Sequence, residues 1–319
     1  MAQVLTAADN ALARVADRWF SIFARLIIES LEPTLSLDET EALVRQGRFA
    51  EIIDPLALTR LTKAAKPETL LEAYVRVITE AAGTVSIPGV VTARLDMTSP
   101  AAVLWAYRLA AQLVTNVGAE TKAAIRVIIA RALAFGGAPR TLARDIWAVT
   151  GLDARSAQAV VTYRANLEAA LMAGRQPAAL RGRFSLAPMR MPAGAPADVE
   201  GRVDLLVDAY RKRLLRRRGE NIARTELQTS VHRGAQLSWD QAMTEHPDLR
   251  PRARRVWVAT KDGRTCARCA SLDGQVIGYD EEFEGLLSNR AGAETGAVGQ
   301  LPPLHPGSCR CTTALRFVD

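Results

Sequence analysis

No cysteine occurs in the first 265 residues of this 319-residue chain, and the whole chain has only three histidines. Those shortages exclude several chemistries. Zinc deaminases carry H-x-E ahead of P-C-x-x-C, and many metalloproteases carry H-E-x-x-H; neither pattern occurs. The nucleophile elbow G-x-S-x-G is missing too. Aromatic residues make up 5% of the chain, a poor supply for the stacked platforms that hold single-stranded nucleic acid. No apolar run approaches the roughly 18 residues of a membrane span. The best stretch, Trp19 to Ile28, is cut by Arg25, and 101–117 carries Arg108. Met1 to Asn10 shows no basic start before an apolar core, so no secretory signal is read. A soluble protein made in reducing cytosol, with its thiols kept, is the expectation.

The missing cysteines are all at the end. Cys266-Ala-Arg-Cys269 is followed, after a long gap, by His305-Pro-Gly-Ser-Cys309-Arg-Cys311. These five side chains are soft or borderline ligands, and a structural Zn²⁺ site needs four in a tetrahedron. Disulfides or free thiols are the alternatives, but a nearby histidine serves neither. A small module with little core gains from structural zinc, by on the order of 10 kcal/mol in small fingers. Cys266 and Cys269 rank first as ligands, on a C-x-x-C hairpin, then His305, then Cys309 and Cys311. The dispensable one is expected to be His305 or Cys311. A metal-dependent hydrolase or nuclease would need an open coordination position, and five candidate ligands argue against one. No enzyme is expected.

The remaining composition is helix-forming: alanine, leucine and arginine are abundant. Apolar spacing predicts helices over 4–31, 38–48, 67–82, 99–135, 141–149 and 153–172. Asp38 is the expected N-cap of the second, with Glu41 closing a capping box. Gly151 is the expected left-handed residue between the last two, and Asp153 the next cap. Segment 175–197 is rich in proline and glycine and reads as a linker. A basic helix over 199–218 follows, interrupted at Gly219 and resuming over 220–244. Arg254–Thr260 and Thr312–Val318 read as strands, Lys261–Arg264 as a turn, and 285–300 as a glycine- and alanine-rich excursion. The fold class is thus mainly α, a multi-helix N-terminal region followed by a small α+β zinc-binding module. Its parts are an N-terminal helical domain (1–135), a helical hairpin (136–174), the linker (175–197) and the module (198–319).

Forty-one basic against thirty-four acidic residues leave a net charge of +7, with a pI of about 9.6. That excess favours an anionic partner. The densest run is Arg211, Lys212, Arg213, Arg216, Arg217 and Arg218. It suits sequence-independent contact with DNA phosphates, or an acidic protein surface. The plainer alternative is the solvated face of a helix, with Leu214 and Leu215 turned inward.

The C-terminal motifs together resemble the phage Mu F-like minor head proteins, also called phage head morphogenesis proteins. The matching features run in order. Ile222-Ala-Arg-Thr-Glu226 precedes Val256-Trp-Val-Ala-Thr-Lys-Asp262 and Arg264-Thr-Cys266-x-x-Cys269. Leu272-Asp-Gly274, Pro302-Pro-Leu-His305-Pro and Cys309-Arg-Cys311 follow. Segment 279–300 is enlarged relative to the family. The resemblance implies a minor structural protein inside a tailed-phage or prophage head, made in the bacterial cytoplasm. Its implied partners are the portal protein and the major capsid or scaffold protein. The rival from another class is a DNA-binding zinc protein acting in packaging or regulation, for which the sequence offers charge but no base-reading residues.

Overall fold

The structure, a computed structural model, describes residues 3–33, 35–53, 70–83, 116, 118–130, 138–173, 196–260, 263, 265–288, 292–304 and 309–318. The expected helix start at Pro67, the ends of helix 99–135, nearly all of the linker, most of the turn at 261–264, and His305 lie outside them. Among the described residues the chain is mainly helical, and a small strand region closes it. No helix there is long and apolar enough to cross a membrane.

The chain divides into two compact units, each built from separated segments. One comprises Met1–Arg25, Lys66–Ala110 and Glu220–Asp319; the other comprises Leu26–Ala65 and Ala111–Gly219. The contiguous four-part division expected from the sequence does not follow these units. Segments distant in sequence share each core, a pairing that local patterns do not encode.

In the unit holding the helical hairpin, local signals decide the boundaries. Helix Leu37–Arg45 starts at Ser36, whose hydroxyl accepts from the Glu39 amide while the Glu39 carboxylate accepts from Ser36. This is a full capping box, two residues before the expected one at Asp38. Asp38 and Glu41 instead receive Arg140 from helix Pro139–Val149. Asp153 does cap helix Ala154–Met172, accepting from Ser156 N at 3.0 Å. Between the two helices Gly151 has φ +81°. A Cβ there would sit 2.0 Å from the Leu31 carbonyl oxygen. Gly151→Ala is therefore expected to cost about 2–4 kcal/mol, combining left-handed strain with a backbone clash. Gly151→Asn, which tolerates φ above zero, should recover little because its Cβ meets the same oxygen. Urea unfolding of the three proteins checks this.

Helix Val199–Glu245 is continuous for 47 residues, so Gly219 does not interrupt it. The glycine serves packing instead: a Cβ at 219 would lie 2.3 Å from Ile28 Cγ1. Helix propensity alone predicts a weak point there; close approach of another side chain explains the residue better.

The unit ending at Asp319 contains the strands. Phe23 and Tyr74 pack edge to face at 5.1 Å, and Ala223, Leu227, Val231 and Ala235 form the expected buried stripe of the long helix. After the 3₁₀ turn Pro247–Arg252 comes β1 (Ala253–Val258). It pairs antiparallel with β2 (Val276–Gly278) on one side and with β5 (Thr312–Phe317) on the other. Segment 285–300 belongs to a second element: β3 (Phe283–Leu286) and β4 (Thr295–Gly299) pair as an antiparallel ladder. The excursion expected there is a hairpin. Its glycines obscured the strand pattern, and Gly285 is present because a Cβ would meet Leu272 at 2.6 Å.

Candidate metal centre

The first cysteine pair sits on a helix rather than on the expected hairpin. Cys266 is the N-cap of the short helix Ala267–Leu272, and Cys269 lies one turn in. Three residues apart on a helix, the two share a face. The Leu272-Asp-Gly motif then locks this helix to β1. Asp273 Oδ1 accepts from Ala259 N at 3.0 Å, and Gly274, at φ +80°, donates its amide to the Trp257 carbonyl at 2.9 Å. The second pair precedes β5, and the β1–β5 register draws it over the same core.

The result is a sulfur cluster inside a hydrophobic core. Cys269, Cys309 and Cys311 are 4%, 0% and 2% exposed and pack with Trp257, Leu272 and Phe283. Their sulfurs all lie within 4.8 Å of one another, and Cys269 and Cys309 approach to 3.8 Å. Cys266 is half-buried against the same core. No disulfide joins the four cysteines. The structure thus groups three of the four predicted cysteines, with Cys266 packed against them, and Cys311, named with His305 as the ligand that could be spared, belongs to the tight trio. Position 311 precedes a strand whose pairing fixes it, which spacing alone did not reveal. His305 lies outside the described residues.

The protonation of the trio is uneven. Burial pushes the Cys269 thiol up to about 12. The Cys309 thiol is lowered to about 5, chiefly by the hydrogen bond from the Cys311 thiol. Cys311 is raised, first by donating that bond and then by burial. One thiolate is therefore favoured at the expense of the other two. A dication would relieve this conflict, because it neutralises the charge that burial opposes and displaces the remaining protons. The donors fit a thiophilic ion such as Zn²⁺. An orphaned group agrees: the Trp257 indole N–H is buried without a hydrogen-bond partner of normal geometry, and it favours the Cys311 thiolate.

One contributor escaped the sequence reading. His232, on the long helix, is 5% exposed, and its ring faces the Cys311 backbone. Burial lowers its pKa to about 4, so it is neutral near pH 7. The available signal was its place on the buried stripe with Ala235, Gln236 and Trp239. His246 stands exposed at the end of the same helix.

Arg224 and Glu226, of the Ile222–Glu226 motif, serve the fold. Arg224 lies over the Phe20 ring at 5.3 Å. Glu226 accepts from the Tyr74 hydroxyl at 2.6 Å, and burial raises its pKa. A carboxyl with a raised folded pKa favours folding in acid, and that contribution is lost as pH rises through the folded value. Glu226→Gln is accordingly expected to be at least as stable as wild type at pH 7, with its relative advantage shrinking toward pH 4. Urea unfolding at both pH values reads the sign.

The basic run divides. Arg211 and Arg218 are buried, at 0% and 7% exposure, whereas Lys212, Arg213, Arg216 and Arg217 are exposed. Arg211 pairs with Glu32 at 2.8 Å and covers the Trp147 ring at 4.5 Å. Arg218 pairs with Glu120 at 2.6 Å and donates to Thr121 and to the Gly151 carbonyl. Both belong to the fold rather than to the contact surface expected of them. Helical periodicity turns every third or fourth residue of the run inward.

Residues 202–314 match the family described as Phage Mu protein F like protein. The match spans most of the long helix, the sulfur cluster and both sets of strands, and it agrees with the resemblance read from the motifs. No curated protein and no solved structure matches the chain.

Proposed function

We propose that this chain is a minor structural protein of a tailed-phage or prophage head, acting at the portal vertex during head morphogenesis and holding one structural Zn²⁺. The observation that carries the reading is the coincidence of the Mu F-like match with a folded module in which several described motif residues serve architecture. Asp273 and Gly274 lock a helix to a strand, Glu226 takes a tyrosine hydroxyl, and three cysteines lie in a core. Cys269, Cys309 and Cys311 would hold the ion, with Cys266 or His305 completing the four ligands. Bound there, zinc supplies a cross-link between the helix of Cys269 and the approach to β5. A non-catalytic role follows from ligands placed in a core rather than in a cleft. Partners are the portal and the major capsid or scaffold proteins.

Affinity purification of the tagged chain from cells assembling heads tests this. Portal protein should co-purify in near-constant ratio, and loss of the gene should leave heads incomplete. Normal infectious heads without the protein would defeat the reading.

A further inference from the structure

Two side chains outside the ligand set converge on Cys311. Trp257 faces the strand pair on one side: the β1–β5 register places it opposite Thr313. Directly opposed residues share a sheet face, and Cys311 stands two positions before Thr313, just ahead of the strand. Trp257 and Cys311 belong to one buried cluster. The Trp257 ring is fully buried and held edge to face against Phe283 at 5.1 Å, while its N–H has no hydrogen-bond partner of normal geometry. Buried donors are rarely left so. On the other side His232 reaches from the long helix to the Cys311 backbone.

We infer that Trp257 and His232 are positioning residues for a metal-bound Cys311, Trp257 donating its indole N–H to the thiolate sulfur and His232 fixing the backbone of the same residue. The inference rests on the zinc reading above. A thiolate bound to zinc keeps lone pairs and part of its negative charge, and in a dry core an N–H donor is the available compensation. The bond orients the sulfur before the ion arrives and lowers its tendency to reprotonate. Outer partners of this kind typically govern metal affinity by about 10–100-fold. His232 would also tie the site to the long helix, so that loss of the ion loosens the helix seat and the reverse.

The full-length protein loaded with Co²⁺, then titrated with Zn²⁺ against a chelator, provides the test. Trp257→Phe keeps a ring against Phe283 and removes only the donor. Zn²⁺ affinity should fall about 10–100-fold, and the sulfur-to-cobalt charge-transfer band should move to lower energy. A packing defect alone would not move that band. If Trp257→Phe fails to fold, benzothienylalanine at 257, with sulfur in place of N–H, carries the same expectation. His232→Gln, which retains a donor, should lose less affinity than His232→Leu. An unmoved band in the folded variant overturns the role of Trp257, and equal affinities of the two His232 variants overturn that of His232. A wild-type protein that binds neither Co²⁺ nor Zn²⁺ fails the zinc reading itself, a separate outcome visible before any variant is made.

Discussion

Protein purified from reducing cytosol is expected to contain about one Zn²⁺ per chain, and chelation is expected to unfold the region from β1 to β5. The argument is one of size. Around the cluster the core consists of Trp257, Ala259, Leu272 and Phe283 with the three cysteines themselves. Its sheets have three and two strands. A core this small leaves a bound metal a large share of the local stability. Structural zinc supplies on the order of 10 kcal/mol in comparable small sites. Cys309→Ser and Cys311→Ser should each abolish stoichiometric zinc and melt the region, since both sulfurs are buried in the trio. Cys269→Ser should do the same. Cys266→Ser and His305→Ala should differ from each other: the more damaging one removes the fourth ligand. Metal analysis and the fluorescence of buried Trp257 during thermal unfolding report the two effects. Stoichiometric disulfides without metal would sink the idea.

Much of this site was legible because its signal is local and compositional. Four cysteines confined to 54 residues announce themselves, and the strands flanking them alternate visibly. The hairpin at Gly151 was equally legible, since a glycine and an aspartate at fixed offsets have a mechanical reason to be there. What stayed hidden is whatever depends on a distant partner. His232 stands out only once Cys311 is beside it. Gly219 looks like a helix break until Ile28 is seen against it. The hairpin of β3 and β4 was lost because glycine at 285, 296 and 299 depresses strand propensity, while a packing contact with Leu272 favours its absence of a side chain. Arg211 offers the clearest case, because nothing near position 211 hints that Glu32 will accept it.

That distinction within the basic run has a large measurable consequence. Arg211→Ala and Arg218→Ala are each expected to destabilise the protein by about 1–3 kcal/mol, through lost hydrogen bonds and lost packing of a buried side chain; Glu32 and Glu120 reach solvent, so no buried charge is stranded. Arg211→Ala would leave Glu32 without its 2.8 Å partner and Trp147 without its cation. Arg218→Ala would leave the Gly151 carbonyl and Glu120 unpaired, beside the Gly151 turn itself. Arg216→Ala with Arg217→Ala should cost less than about 1 kcal/mol, because both side chains are exposed. Leu214 and Leu215 keep that stretch of helix seated. The ranking reverses for DNA. Phosphate contact releases counterions, so binding should weaken steeply between about 50 and 200 mM salt and show no sequence preference. Replacing Lys212, Arg213, Arg216 and Arg217 together should flatten the salt slope by about one for each phosphate no longer neutralised, in a protein that still unfolds at the wild-type urea midpoint. Substituting Arg218 should lower that midpoint and leave the slope of the remaining folded protein unchanged. Binding that ignores salt and selects one DNA sequence would favour the regulator over the head protein. A four-residue variant with the wild-type slope would instead mean that the exposed cations meet an acidic protein surface, and portal co-purification is then the property that the variant should lack.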